Sequence, residues 1–282
     1  MRPPTPSWWW LACLALGIAT LVMTGVLSAT FPDTAAAMLS GYGQPVLAFE
    51  FATTLNDLTA IFGTPDDPMR AARLAAMQAG NEQDYLYMLL YAAFLASGLY
   101  ALWRELRLPL LLVAVGMPVL AAMFDAYENW LLFDIQAAFT LGEYSDALDA
   151  LALPVMIKFV LLTLTNLAIG HAMTRMEGKG WQIGGALVMV PCLATLMALI
   201  APAAFGWTLS AAIGAGWIGL IIMAGIACWY LLRHRAPLVD FEPGALPPVR
   251  DMPAAAPAAT PAKPGTVQRP ATFGRRRSDE DS

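Results

Sequence analysis

Charge is scarce in this chain. Only 13% of its 282 residues are Asp, Glu, Lys or Arg, about half of the ~25% found in ordinary soluble domains. Hydrophobic residues make up 58%, and mean hydropathy is +0.58. That balance excludes a soluble globular enzyme and points to a lipid environment. Histidine is nearly missing, and both examples, His171 and His234, lie at the ends of apolar segments. The three cysteines, Cys13, Cys192 and Cys228, fall inside long apolar runs, where a thiol behaves as a small hydrophobe. No Cys/His cluster has the spacing of a zinc site, so neither a metal centre nor a cofactor is expected. The formal charge is −5 and no basic field exists, which argues against nucleic acid as a partner.

Long apolar stretches are what the chain has. A helix crossing a hydrocarbon core of ~30 Å needs about 20 residues, and six candidates occur: Trp8 to Leu27, Tyr85 to Trp103, Leu108 to Phe133, Leu151 to Ala172, Trp181 to Ala204 and Trp207 to Leu232. The expected fold is all-α, a polytopic bundle of six transmembrane helices. Leu27-Ser28-Ala29 would serve as a cleavage site after the first span, but the apolar run is too long for a signal peptide and reads as an uncleaved anchor. Trp8 to Trp10, Tyr85, Trp103, Trp130, Trp181, Trp207, Trp229 and Tyr230 sit near span ends, as amphipathic rings do at headgroup level.

Lys and Arg in the short connections give the orientation. Arg2 precedes the first span, Arg104 and Arg107 join the second to the third, Arg175 and Lys179 join the fourth to the fifth, and Arg233 and Arg235 follow the sixth. The connections on the other side, Asp134 to Ala150 and the turn at Phe205 and Gly206, carry none. Both termini are therefore expected in the cytoplasm of a cell whose inner membrane holds the protein, with membrane lipid as its constant partner.

Residues 29–84 are too polar to cross and read as a small helical cap on the outer face. Thr54 and Asp57 have capping-box spacing ahead of Leu58, Ile61 and Phe62. Asp67 and Pro68 predict a second helix start, running to Ala79 and stopped by Gly80. Pro45 to Ala52 fits either an extended segment or a helix lying on the bundle. Residues 233–282 turn abruptly to Pro, Ala and charge and are expected to form a disordered cytoplasmic tail. Its end, Arg275 to Arg277 and Asp279 to Asp281, reads as solvated charge, the alternative being a site for anionic lipid or a protein partner.

Ionisable groups inside spans cost ~2.5–3.5 kcal/mol each on insertion scales, so each calls for a partner or a role. Asp125, Glu128 and Asn129 share one face of the third span. Lys158 interrupts the fourth, with Thr165 and Asn166 further along. Asp84, Tyr87, Met88 and Tyr91 form a stripe at the mouth of the second. At ~1.5 Å per residue Asp125 lies roughly 25 Å from the cytoplasmic start of its span, and Lys158 roughly 10 Å below the outer boundary of the next, antiparallel one. The two levels converge on a pocket open to the outside, and Lys158 is expected to pair with Asp125 or Glu128. No Ser/His/Asp set can join them, because His171 belongs to the other end. Elsewhere Ala211, Ala215 and Gly219 in the sixth span, with small residues from Ala12 to Ala19 in the first, predict helix contacts, and Pro118 and Pro191 predict kinks.

Phe49-Glu50-Phe51-Ala52, Asp84-Tyr85-Leu86-Tyr87 with Tyr91, and Asp125-Ala126-Tyr127-Glu128-Asn129 occur in an order that resembles a group of uncharacterised bacterial polytopic integral membrane proteins. Those proteins carry an apolar Glu-containing segment, an Asp-aromatic-Leu-aromatic span start and an intramembrane Asp-x-x-Glu-Asn motif. The match covers Pro45 to Phe133. It implies that Glu50, Asp84, Asp125, Glu128 and Asn129 belong to one site, and it implies no activity. Two roles for the polar residues stay open: a structural network that fixes helix register, or a binding or proton-handling site. The functions to be weighed are a non-catalytic protein holding a small or lipid-like ligand or a partner protein, a membrane isomerase or lipid-modifying enzyme with Glu128 as acid or base beside Asp125, and a proton-coupled carrier.

Overall fold

A computed structural model describes residues 3–37 and 41–234. Of the tail expected over 233–282, Arg233 and His234 instead continue the last helix, and the remainder lies outside the described residues. Among the described residues eleven α-helices follow one another: α1 Trp8–Thr30, α2 Pro45–Glu50, α3 Leu55–Phe62, α4 Arg70–Leu106, α5 Pro109–Ala114, α6 Met117–Leu141, α7 Ala147–Ala150, α8 Ala152–Arg175, α9 Lys179–Ile200, α10 Pro202–Phe205 and α11 Trp207–His234. There is no strand among the described residues. Six segments of the described residues are long and apolar enough to cross a bilayer: α1, α4, α5 with α6, α7 with α8, α9 and α11. The chain is an all-α, multi-pass membrane protein. Its lipid-facing girdle carries large exposed apolar side chains such as Val22, Leu89, Val113, Met123, Leu153, Leu187 and Ile200.

Several expected boundaries moved, each for a local reason. Gly80 does not end a cap helix, because α4 runs unbroken through it for 37 residues, ~55 Å at 1.5 Å per residue, far more than a bilayer core needs. A Cβ at Gly80 would overlap the Phe31 ring, so glycine serves close approach there, not termination. The second helix begins at Arg70, not Pro68; Asp67 accepts a hydrogen bond from the Met69 N–H and pairs with Arg73 at 2.8 Å, making a turn ahead of the helix. Pro118 does more than kink the third span. Lacking an N–H, it falls in the first turn of α6, and Val115 and Gly116 separate α5 from α6. α6 then continues to Leu141, where Gly142 caps it at φ 77°. The acidic outer loop expected over 134–150 therefore shrinks to a short turn and α7. α9 passes through Pro191 without interruption.

The capping box forms as expected: Thr54 Oγ1 accepts from the Asp57 N–H, and the Asp57 carboxylate accepts from the Thr54 N–H. Pro45 to Ala52 resolves as the short helix α2 with Pro45 in its first turn. The small-residue ridge of α11 is rotated from the expected one. Ala211 is exposed, whereas Gly216 sits against Asn166 and Gly219 against Val188 and Met173. Near the N-terminus, Thr5 donates from both its N–H and its hydroxyl to Glu105, tying the start of the chain to the end of α4.

The buried apolar residues separate into two cores. One, toward the end bearing Arg104 and Arg175, gathers Trp10, Phe94, Leu99, Leu102, Leu111, Met173 and Trp181. The other, at the end covered by α2 and α3, gathers Phe49, Leu58, Phe62, Met77, Leu132, Ile135 and Val155. On α6 the change from one to the other falls between Ala121 and Leu131, and on α8 between Phe159 and Leu162. The intramembrane charges lie at that boundary.

Candidate functional site

Lys158 is the centre of the polar layer. Its side chain is buried, and its Nζ donates to Asp125 Oδ1 at 3.1 Å and to Glu128 Oε1 at 2.8 Å. The second Glu128 oxygen lies 2.7 Å away and Glu50 Oε2 3.3 Å away. An ammonium thus occupies the middle of three carboxylates, where a bound cation would otherwise be needed. The pairing expected from depth holds for both candidates at once, with Glu50 as a third member. Tyr91 supports the layer by donating its hydroxyl to Asp125 Oδ2 at 2.9 Å.

Glu50 reaches this position because its neighbours are anchored on both sides. Phe49 meets Phe62 edge-on at 5.1 Å between centroids, and Phe51 stacks on Phe159 at 5.9 Å. α2 is thereby pressed into the bundle, with Leu47, Ala48 and Phe49 buried. Burial pushes the Glu50 carboxyl above its ordinary range, against the opposing pull of Lys158.

Asp84 and Asn129 form a second, shallower set. Asn129 Nδ2 donates to the Asn81 carbonyl and to Asp84 Oδ2, both at 3.1 Å, which joins α6 to α4. Asp84 makes no ion pair within 4 Å among the described residues. Its stripe along α4 carries Tyr87, which packs against Tyr91 at 5.6 Å and against Trp217 of α11 at 6.0 Å. Tyr91 and Trp217 close the triangle at 5.7 Å.

Above these groups lies a cavity of about 460 Å³, within the usual range of ~300–1,000 Å³ for ligand pockets. Glu50, Asn81, Asp84, Asn129, Lys158 and Trp217 contribute its polar wall, and Leu21, Leu27, Leu162, Ile213 and Ile218 much of its apolar one. Tyr87 and Tyr91 line it as well. Asp125 and Glu128 do not: they stand behind Lys158. Glu128, weighed from the sequence as an acid or base, stands behind Lys158, and the carboxyl groups at the cavity wall are Glu50 and Asp84.

Asn166 and Thr165 are apart from the site. Asn166 donates to the Ala212 and Ile213 carbonyls of α11, each at 3.2 Å, and Thr165 donates to Leu161 on its own helix. Asn166 ties α8 to α11, whereas Thr165 bonds within α8. Asn81 and Trp217 are site residues that the sequence reading did not single out. Each had a signal: Asn81 precedes Asp84 by one turn on the same face, and Trp217 stands in mid-span, where the other tryptophans are near span ends. The three cysteines are free and buried.

Seven of the eight residues grouped from the sequence and the resemblance, Glu50, Asp84, Tyr91, Asp125, Glu128, Asn129 and Lys158, are linked directly through Lys158, Asp125 or Asn129. Asn129 and Asp84 form a pair of their own beside the Lys158 cluster, and Tyr87 joins through its ring contacts. No protein-family model, curated protein or solved structure matches the chain.

Proposed function

We propose that this is a non-catalytic membrane protein whose polar-walled cavity binds a small or lipid-like ligand. One observation carries the reading: a cavity of about 460 Å³ with an acidic wall of Glu50 and Asp84 and an apolar wall from α1, α8 and α11. A purely structural network would close such a space with side chains, since interiors are packed to crystal-like density. The convergence of polar groups on an otherwise apolar pocket is the usual form of a ligand site.

The protein sits in the inner membrane of a bacterial cell with both termini in the cytoplasm and the cavity toward the outer side. Arg104, Arg107, Arg175, Lys179 and Arg233 cluster at one end of the bundle, which supports that orientation. Arg70 and Arg73 at the other end belong to the long connection, which the rule does not count, and both are engaged there: Arg73 with Asp67, and Arg70 with the Phe139 carbonyl and ring.

Native mass spectrometry of the purified protein tests the binding reading. A retained molecule is expected in the wild type and is lost in Ser210→Trp, which fills the exposed rim of the cavity. A cavity that carries nothing in either protein, with every natural membrane extract offered, refutes it. Product formation on such extracts, abolished by Glu50→Gln or Asp84→Asn, would replace it by the enzymatic reading.

A further inference from the structure

The cavity lies against a seam between α1 and α11. These helices touch at Gly17, where a Cβ would stand 2.9 Å from Ile221. Nearer the α2 end the facing positions are Leu21, Thr24 and Ser28 on α1 and Ser210, Gly214 and Ile218 on α11, and all six line the cavity. Five of the six are exposed, and a Cβ on Gly214 would meet nothing within 4 Å. From Ser210 to Ile218 the seam is ~12 Å long at 1.5 Å per residue. It lies between two of the helices that are long and apolar enough to cross a bilayer.

The wall chemistry restricts what can enter. Lys158 is engaged by three carboxylates, so it has no capacity for an anionic head. Asp84 lines the cavity, and among the described residues its hydrogen-bond partner is the Asn129 amide. One turn deeper, Tyr87, Tyr91 and Trp217 form a ring cluster of the kind that attracts organic cations. Two buried donors on the wall, Trp217 Nε1 and Asn81 Nδ2, have no hydrogen-bond partner among the described residues, and Trp217 is 7% exposed and Asn81 1%. An unmatched carboxylate beside aromatic faces calls for a cation, and two unmatched N–H donors call for an acceptor close to it.

Resting on the binding function proposed above, we infer that the ligand is a single-chain amphiphile with a protonated amine and a neighbouring oxygen in its head. It enters from the bilayer through the seam between α1 and α11. The ammonium lies at Asp84 over the aromatic cluster, the head oxygen accepts from Trp217 or Asn81, and the chain follows Leu21, Leu27, Ile213 and Ile218 into the lipid.

Photolabelling of the full chain in native membranes tests this. The probe is a hexadecyl chain bearing a diazirine and an alkyne, ending in an amino alcohol, in the corresponding diol, or in a carboxylic acid. The amino alcohol is expected to label α1 and α11 about tenfold more strongly than the other two, the worth of one desolvated cation contact. Asp84→Asn, an isosteric change, should abolish that preference. Gly214→Phe should suppress labelling by obstructing the seam, whereas Gly225→Phe, on the same helix at another open position outside the cavity lining, should not. Equal labelling by all three heads, or stronger labelling by the acid, overturns the head assignment and leaves the binding function standing. Undiminished labelling in a folded Gly214→Phe protein overturns the lateral route. No labelling of α1 or α11 by any probe overturns both the inference and the function on which it rests.

Discussion

Replacing Lys158 by Met removes the cation from the centre of the buried layer and keeps the shape of the stem. Three carboxylates then face one another: Glu128, which held Nζ at 2.8 and 2.7 Å, Asp125 at 3.1 Å and Glu50 at 3.3 Å. Breaking a buried pair from one side costs ~3–5 kcal/mol, about two to three and a half powers of ten in the folding equilibrium. Because three partners are stranded instead of one, Lys158→Met belongs at the upper end. Glu128→Gln alone leaves Lys158 two carboxylates and should cost distinctly less. In the Lys158→Met background each isosteric neutralisation should restore part of the loss, ordered by distance and burial as Glu128→Gln, then Asp125→Asn, then Glu50→Gln. Coupling of ~1–3 kcal/mol is expected for Glu128, in the range measured for residues of one network. Fluorescence-detected size exclusion after a heating series in mild detergent gives the midpoints for the whole cycle. Additive damage in all three double mutants would falsify the idea that Lys158 neutralises these groups.

Three other outcomes are expected. Reporter fusions after Arg107, Gly180 and Leu232 should read as cytoplasmic and those after Gly63 and Gly142 as external, and a cytoplasmic reading after Gly142 would break the six-span topology. Gly216→Ala drives a methyl into Asn166, which holds the Ala212 and Ile213 carbonyls, so thermal unfolding should show a loss of ~1–3 kcal/mol; Gly214→Ala, in open space, should cost nothing measurable. Burial raises the Asp57 carboxyl, but hydrogen bonds from Thr53 and Thr54 outweigh it and hold it below 3.8. A depressed folded value contributes stability above the unfolded one and loses it as pH falls through the folded value, so hydrogen exchange in α3 should be slowed by Asp57 relative to Asp57→Ala at neutral pH, and the difference should fade only below pH ~4. A difference that persists undiminished at pH 2 would argue against the capping carboxylate.

The spans and the Lys158 pairing were legible because a bilayer supplies a ruler. Hydropathy sets where each helix crosses, the rise per residue sets depth, and consecutive spans run antiparallel. Asp125 and Lys158 therefore had to approach each other before any packing was known. What the ruler does not give is rotation about each helix axis, and the missed features are of that kind. The ridge on α11 is turned so that Gly216 and Gly219 make the contacts and Ala211 does not. Gly80 carried a stop signal in the local sequence, yet the packing of Phe31 is a tertiary event that local sequence does not encode.

Glu50 marks the limit most sharply. Six residues of α2 are too few for a periodicity to mean anything, and an apolar run with a single carboxylate does not say what that carboxylate meets. Only the resemblance grouped Glu50 with the other carboxylates. Its position is set by two anchors distant in sequence, Phe49 on Phe62 and Phe51 on Phe159, and Phe159 is the residue that follows Lys158. The stacking that seats α2 on α8 thus brings the third carboxylate to the ammonium. Loss of the Phe159 ring would loosen α2 and the ion pair together, so a non-spanning segment is coupled to the charge centre through a contact that neither segment reveals alone.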